Sequence, residues 1–385
     1  MTDTRVLPSD VDPLRQRGRT LLVVLVWIAA VVGAAGAVFI ASRSGSVAGA
    51  SLAIVYALIP LPFVLLAYWW LDRVEPEPFR YTAAAFVWGA VIAVGIALPL
   101  EIAMSALGMS EDWLISIGAP VAEEFAKGLF VVLTLVRMRR IIDGVLDGLI
   151  VSGLVGIGFA AMENVGYYAV SYLGLDSDMP SLAGPQMATA TFVIRGLFSP
   201  FAHPLFTAAI GIAMGLAVGR SSALQRWGLV LLGYLVSVGL HALWNGSIVM
   251  VGAAGFLLAY AVLSLMLIVL VVMAIVLRLR QTATLARALT DIAARGWIHP
   301  AEVPWLVRFG RRSQCRRHAK QFGPEAVDAV RRYQRLATEA AFLHDAVMLG
   351  KAGPNGTDRT YALLDRMWGL RPFLRFPPAL PPGVR

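Results

Sequence analysis

The 385-residue sequence is 58% hydrophobic and only 15% charged, and its mean hydropathy is +0.70. Soluble globular chains carry roughly 45–50% apolar and about 25% charged residues, so a soluble multi-domain enzyme is excluded. The net charge of +9 is unevenly divided: residues 1–277 hold 14 Lys and Arg against 16 Asp and Glu, whereas residues 278–385 hold 19 against 8. A basic tail therefore follows a membrane-embedded part.

Eight apolar runs in the first part are long enough to cross a bilayer, which requires about 20 residues each. They cover roughly residues 20–41, 49–71, 82–106, 113–137, 144–171, 188–218, 227–249 and 253–277. The first run exceeds the 7–15 residues expected of a signal-peptide core, so we interpret it as a retained anchor. The predicted fold class is all-α, a polytopic integral membrane bundle of about eight transmembrane helices.

Arginines in the connecting segments alternate with the spans and predict the orientation. They precede the first span and follow the second, fourth and sixth, whereas the alternate loops hold only Arg43. Positive residues favour the cytoplasmic side, so both termini are predicted to face the cytoplasm. The predicted organisation is a cytoplasmic N-terminus (1–19), a membrane domain (20–277) and a basic helical cytoplasmic tail (278–385), which includes amphipathic segments Leu285–Arg295 and Pro324–Leu349. The lipid bilayer is the expected surrounding, and no nucleic-acid partner is expected.

Several polar side chains lie inside the predicted spans, where each ionisable group costs free energy unless it is paired or faces water. They are Glu101, Glu123, Glu124, Lys127, Glu163, Arg195, His203 and His241, with Asn164 and Asn245 as buried amides. At about 1.5 Å of rise per residue, Glu123 lies about 15 Å from the outer end of its span, and Glu163 and His241 about 12 Å from theirs. His203 lies on a longer helix that we expect to tilt. Four helices are thus predicted to place polar groups in one layer, whereas Glu101 lies near the outer boundary and is left out of the site.

The spacing of these residues suits peptide hydrolysis. Glu123 and Lys127 share a helix face, so the lysine can keep the carboxylate ionised as a general base on water. A histidine on another span can orient that water or protonate the leaving amine. His241 and Asn245, one turn apart, can donate hydrogen bonds to a developing oxyanion.

Structural explanations compete with this interpretation. Glu124 and Lys127 can form a plain intrahelical pair, Arg195 can serve as a counter-ion to Glu101 or Glu163, and Phe159 is more simply a packing residue. A proton- or ion-coupled transporter would use the same buried groups. A non-catalytic membrane scaffold whose basic tail recruits a partner is a second alternative. No zinc motif of the H-E-x-x-H type includes either membrane histidine, and no aspartate pair spans two helices.

Four motifs on successive polar spans resemble the PrsW family of bacterial intramembrane proteases. They are Ala119-Pro-Val-Ala-Glu-Glu-Phe-Ala-Lys127, Phe159-Ala-Ala-Met-Glu-Asn164, Arg195 to His203-Pro204, and His241-Ala-Leu-Trp-Asn245, and Glu75-Pro-Glu-Pro78 also fits. The resemblance covers roughly residues 50–250. It implies a multi-pass protease of the bacterial plasma membrane that cleaves a single-span, membrane-anchored substrate, such as an anti-sigma factor, on its outer side.

A more distant similarity to glutamate-dependent prenyl-protein endopeptidases implies individual roles. By that similarity Glu123 is the general base, Glu124 its support, and His241 with Asn245 the oxyanion donors. The relatives carry a histidine where this chain has Glu163, and His203 is the candidate to replace it. Lys127, Glu163, Asn164 and Arg195 are supporting residues.

A metal ion is left open by the sequence. Nitrogen and oxygen donors able to hold zinc are present in Glu123, Glu124, Glu163, His203 and His241. Lys127 beside the carboxylates already supplies positive charge, which favours metal-free glutamate catalysis slightly.

Overall fold

The computed structural model describes residues 35, 36, 38, 47–137, 144–174, 183–218, 220–353 and 355–377, and all regular structure within them is helical. Six helical segments among these residues are long and apolar enough to cross a membrane. The prediction of an all-α, polytopic membrane protein is confirmed. In chain order the helices are α1 (Val47–Leu58), α2 (Leu61–Leu71), α3 (Phe79–Ala106), α4 (residues 111–137), α5 (Val145–Leu173), α6 (residues 185–198), α7 (Ala202–Val218), α8 (Ala223–Val251), α9 (Ala253–Ala294), α10 (Val303–Val307), α11 (Phe309–Ala319), α12 (Pro324–Met348) and α13 (Gly356–Leu370).

The predicted spans correspond to these helices with two interruptions. The second predicted span is broken at Ile59 and Pro60 into α1 and α2, and the sixth is broken at residues 199–201 into α6 and α7. The fourth predicted span corresponds to α4, which is not among the six candidates because its stretch Ala119–Arg137 holds four charged residues, Glu123, Glu124, Lys127 and Arg137. The first predicted span, residues 20–41, lies almost entirely outside the described residues.

Helix α5 lies at the centre of the membrane bundle. Every residue from Leu146 to Phe159 is buried, and the helix packs against α1, α3 and α7. Its glycines let neighbouring backbones approach closely: a Cβ on Gly148 would lie 2.1 Å from the Gly211 carbonyl oxygen of α7. Close packing through small residues is the usual way in which membrane helices associate. By contrast, α8 and the first part of α9 expose many large apolar side chains, as expected of a surface in contact with lipid.

Residues from Arg278 onward form a separate compact unit. The predicted amphipathic segment Pro324–Leu349 corresponds to α12, whereas the predicted segment Leu285–Arg295 is the end of the long helix α9 and not a helix of its own. The unit from Arg278 onward has a buried apolar core that includes Trp305, Cys315 and Val330.

Candidate active site

Helix α4 contributes two carboxylates and an ammonium group on one face. Lys127 Nζ lies 3.1 Å from Glu123 Oε2 and 2.8 Å from Glu124 Oε1, because residues three and four apart on a helix are neighbours. The third Lys127 proton points to His203 Nδ1, 3.0 Å away on α7. The ammonium group also lies 3.8 Å from the centre of the Phe159 ring on α5. All three hydrogen-bond donors of the fully buried lysine are therefore used within the site.

Glu124 is held by donors from three helices. Besides Lys127, its Oε1 lies 3.1 Å from His241 Nδ1. Its Oε2 accepts hydrogen bonds from Thr207 (3.1 Å) and Ser237 (2.6 Å). Four donors satisfy both oxygens of this fully buried carboxylate, as a buried charge requires. Glu124 therefore ties α4 to α7 and α8.

Thr207 and Ser237 were missed by sequence reasoning, although a signal for them was present. Thr207 lies four residues after His203, and Ser237 lies four residues before His241. Residues four apart share a helix face, so both hydroxyls point to the same side as the histidines. A search for hydroxyl side chains one turn from each buried histidine would have found them.

Glu123 has a different environment from Glu124. In the part of the chain that the structure describes, its only hydrogen-bond donor is Lys127. His203 Nδ1 and His241 Nε2 both lie 3.9 Å from Glu123 Oε2, close but beyond hydrogen-bond distance. Glu123 is 5% exposed, and most of its acceptor capacity is free. It is the carboxylate in this cluster that can still accept a proton from a bound molecule.

Both histidines are oriented by carboxylates. His203 Nε2 lies 2.7 Å from Glu163 Oε2, and His241 Nδ1 lies 3.1 Å from Glu124 Oε1. A carboxylate accepts hydrogen bonds, so these nitrogens carry the protons of the neutral imidazoles. The other nitrogens, His203 Nδ1 and His241 Nε2, then carry lone pairs on the side of Glu123, and the lone pair of His203 Nδ1 accepts the Lys127 proton. A lone pair does not donate to an oxyanion, so this arrangement favours ligation over the oxyanion role expected for His241.

Arg195 on α6 supports the Glu163 side of the site. Its Nη2 donates to Glu163 Oε2 at 2.6 Å, and its Nε donates to Asn164 Oδ1 at 2.7 Å. The guanidinium also lies 3.7 Å from the centre of the Tyr167 ring. These contacts connect Arg195 to His203 through Glu163, so the arginine positions a group that faces the centre.

Asn245 is the one predicted site residue that lies apart from the carboxylates. Its Nδ2 donates to the backbone carbonyl of Ile115 at 3.1 Å. Ile115 belongs to a π-helical turn, Leu114–Gly118, which widens α4 just before the Glu123–Glu124 pair. The structure thus gathers Glu123, Glu124, Lys127, Glu163, His203 and His241 into one contact network with Arg195 and Asn164 at its edge, and it places Asn245 on α8 beside the start of α4.

The donor set fits a metal ion. Glu123, Glu124, His203 and His241 are all buried, and one ligand atom from each lies within 4.8 Å of the others. Zinc takes imidazole nitrogen and carboxylate oxygen, and its histidine ligands usually donate their other N–H to a carboxylate. Lys127 Nζ already lies within 3.1 Å of Glu123, Glu124 and His203, so a metal ion would have to displace the ammonium group.

The fold and the site together define a polytopic membrane protein with a buried glutamate–histidine centre built from successive helices. A family model described as PrsW family intramembrane metalloprotease matches residues 77–277, more than half of the chain and all nine candidate site residues. The chain belongs to this family.

A curated relative, Protease PrsW of Geobacillus kaustophilus (strain HTA426), is 28% identical over 159 residues. The match covers 40% of this chain and 61% of the relative, so the chain spans less than two thirds of that relative's length. Comparison with the solved structures gave no match.

Proposed function

We propose that the chain is an intramembrane endopeptidase that hydrolyses a peptide bond of a single-span membrane protein, with Glu123 as the general base. The observation that carries this proposal is the difference between the two adjacent glutamates. Four donors satisfy Glu124, whereas Glu123 has Lys127 as its one donor among the described residues and keeps free acceptor capacity beside both imidazole rings. Family membership supports the same reaction class.

The reaction follows from these positions. Water attacks the scissile carbonyl carbon while Glu123 takes a proton from it, with Lys127 holding the carboxylate in place. The proton then passes from Glu123 to the leaving nitrogen as the C–N bond breaks, which yields a carboxylic acid and an amine. Burial of the cluster keeps other solvent away from the reacting groups.

His203 Nδ1 and His241 Nε2 would hold a zinc ion, with His203 giving up its contact with Lys127, because both oxygens of Glu124 are already satisfied and Glu123 serves as the base. A bound zinc would activate water for attack and polarise the scissile carbonyl. Glu163 and Glu124 would then act on the histidines by fixing their tautomers, and Arg195 would act through Glu163.

The family and the loop charges support a proposal for the substrate class and the location. We infer a bacterial plasma-membrane location with both termini in the cytoplasm, since arginines concentrate in the loops predicted on that side. A membrane-anchored anti-sigma factor, cleaved on its outer side, is the substrate class that the family suggests.

The test compares cells that make the wild-type chain with cells that make Glu123→Gln at equal membrane levels. Released extracytoplasmic fragments are sequenced in both. We expect fragments of a single-span protein with the wild type alone, because the amide cannot accept the proton. Identical fragment sets from an induced wild type would contradict proteolysis, and substrate-dependent proton flux in liposomes would then favour the transporter.

A further inference from the structure

Glu101 is an ionisable side chain inside a predicted span, and the proposed reaction does not use it. It lies on α3, five residues before Ala106 at the end of that helix, and it is half-buried. Sequence analysis left it out of the site because it lies near the predicted outer boundary. A carboxylate within a membrane span costs free energy unless it is paired or faces water, so such a residue is a candidate for function.

The packing of α3 places Glu101 on the side of the active site. Ala97, one turn earlier, belongs to a buried cluster with Ala122 of α4. Met104, one turn later, also packs against α4, since its sulfur would lie 3.2 Å from a Cβ on Gly118. Residues 97, 101 and 104 are spaced i, i+4 and i+7 and therefore share one helix face. Glu101 thus lies on the face of α3 that packs against the helix of the two catalytic-site glutamates.

The charge of Glu101 acts on the groups of the active site. It interacts electrostatically with Glu163 and Lys127, and also with Glu123. Phe159, one turn before Glu163 on α5, belongs to the buried cluster that lies one turn before Glu101 on α3. The carboxylates of α3 and α5 therefore each lie one turn beyond this cluster, toward the predicted outer side.

Neither cation of the site pairs with Glu101. All three protons of Lys127 are directed to other groups. Arg195, for which Glu101 was one predicted partner, donates to Glu163 and Asn164 instead. Among the residues that the structure describes, Glu101 has no hydrogen-bond donor and no ion-pair partner. A cation supplied by a bound molecule would pair with it and remove the cost of an unpaired charge.

A single-span substrate can supply this cation. Lysine and arginine are tolerated near the ends of membrane spans, because their apolar stems lie along the span while their charged ends reach the interface. By the predicted orientation, Glu101 lies about 7.5 Å from the outer end of its helix and Glu123 about 15 Å from the outer end of its own. A basic side chain that pairs with Glu101 would therefore belong to a residue on the outer side of the scissile bond.

We propose that Glu101 is a specificity-determining residue, which binds a lysine or arginine side chain of the substrate on the outer side of the scissile bond. Its carboxylate accepts hydrogen bonds from an ammonium or a guanidinium group, and such charge-assisted bonds are stronger than neutral ones. The proposal rests on the proposed protease function and adds a charge preference to it.

The experiment uses the full chain, expressed with a single-span reporter protein whose cut is located by sequencing the released fragment. Lys, Gln or Glu is placed in turn at each position on the outer side of that cut, and release is measured at equal reporter levels. Glu101→Gln removes the charge, and Glu101→Lys reverses it. Glu111→Gln is the matched control, because Glu111 is an exposed carboxylate at the start of α4, on the same predicted side.

With the wild type we expect the Lys reporter to be cleaved about tenfold faster than the Gln reporter at one or two neighbouring positions, which is the order of effect of a hydrogen bond to a charged group. The Glu reporter should be slower still. Glu101→Gln should remove the difference between the Lys and Gln reporters, and Glu101→Lys should favour the Glu reporter. The control should keep the wild-type preference. If Glu101→Lys does not accumulate, the uncharged variant decides.

Equal cleavage of the three reporters by the wild type at every position would overturn the role of Glu101, whatever the variants do. Slower cleavage of all reporters by Glu101→Gln with the Lys preference retained would also overturn it, because the residue would then be structural. If the wild type and Glu123→Gln release the same fragments, the protease function itself fails. If they differ and no charge preference is found, the function stands and the role of Glu101 is rejected.

Discussion

Glu123 and Glu124 are adjacent in the chain and almost equally buried, yet their surroundings assign them different roles. Successive residues on a helix point about 100° apart. Glu124 therefore faces Thr207 on α7 and Ser237 on α8, and Glu123 faces both histidine rings at 3.9 Å. The first is a structural anchor of the site, and the second is its reactive carboxylate.

Removal of one hydrogen-bond donor to Glu124 tests whether this carboxylate is structural. We expect Ser237→Ala to lower the free energy of unfolding by about 1.5–3 kcal/mol, the contribution of a hydrogen bond to a charged group. Cleavage should fall as well, because His241 shares that carboxylate. Thermal unfolding of the purified chain and reporter cleavage measure the two effects.

The matched control is Ser247→Ala on the same helix. Ser247 is also buried, but its hydroxyl donates to the Trp244 carbonyl of its own helix. If Ser237→Ala and Ser247→Ala lose the same stability and the same cleavage rate, the hydrogen bond from Ser237 to Glu124 contributes no more than an ordinary buried one.

Metal content tests the ligand assignment. We expect the purified wild type to bind about one zinc ion, and His203→Ala and His241→Ala to lose it, because each removes an imidazole donor that faces the centre. Glu123→Gln should keep zinc while losing cleavage, since its role is to take a proton. Elemental analysis after dialysis gives the metal content.

Full cleavage activity in a zinc-free wild-type chain would contradict the predicted role of zinc. Catalysis would then depend on the glutamates without a metal ion. Loss of zinc in Glu123→Gln would instead make Glu123 a ligand. Glu163→Gln keeps His203 but removes the carboxylate that orients it. We expect a partial loss, about 10–100-fold in metal affinity or activity, as is typical when the partner of a metal-binding histidine is changed.

At the scale of elements, α5 sets the position of the histidine on α7. A Cβ on Gly156 would lie 2.9 Å from both the carbonyl carbon and the carbonyl oxygen of His203. The first turn of α7 therefore rests directly on the α5 backbone. This contact joins Gly156 to His203, 47 positions further along the chain, and it depends on how α5 and α7 pack. The sequence pattern alone does not predict it.

Gly156→Ala should push the start of α7 away from α5. We expect cleavage to fall at least tenfold and the chain to lose about 1–3 kcal/mol of stability, as overpacked cores do. Gly239→Ala on α8 is the control, because nothing lies within 4 Å of its added Cβ and alanine favours the helix. Wild-type cleavage by Gly156→Ala would show that the position of His203 is not set by this contact.

Among the described residues, three membrane helices contain π-helical turns: Trp88–Ala93 in α3, Leu114–Gly118 in α4 and Val193–Phe198 in α6. The last of these carries Arg195, and the second supplies the carbonyl that Asn245 binds. Such turns are rare and occur often at functional sites. Apolar periodicity does not predict them, so the contact between Asn245 and the Ile115 carbonyl does not follow from the sequence pattern.

At the scale of the whole molecule, the basic unit after residue 277 has an apolar core of its own. Cys315, the single cysteine of the chain, is fully buried there, and burial raises the pKa of its thiol to about 11. Burial disfavours the charged thiolate, so near neutral pH the group stays a thiol and reacts slowly.

Thiol labelling therefore reports on the fold of this unit. In the native full chain at pH 7.5 we expect labelling of Cys315 to be at least a hundredfold slower than in denaturant. Leu306→Ala, which removes a buried side chain of the same unit, should accelerate labelling. Rapid labelling of the native wild type would contradict a packed core around this cysteine.

Hydropathy and composition are sufficient to predict the membrane class, the helical fold, most spans and the identities of the buried ionisable residues, because a charged residue in an apolar run is costly and therefore conspicuous. Which atoms meet depends on helix packing: donors satisfy both oxygens of Glu124 but not those of Glu123, and Glu163 orients His203. These outcomes depend on how far each helix is rotated and where it breaks. Both are fixed by contacts between α4, α5, α7 and α8, which hydropathy does not encode.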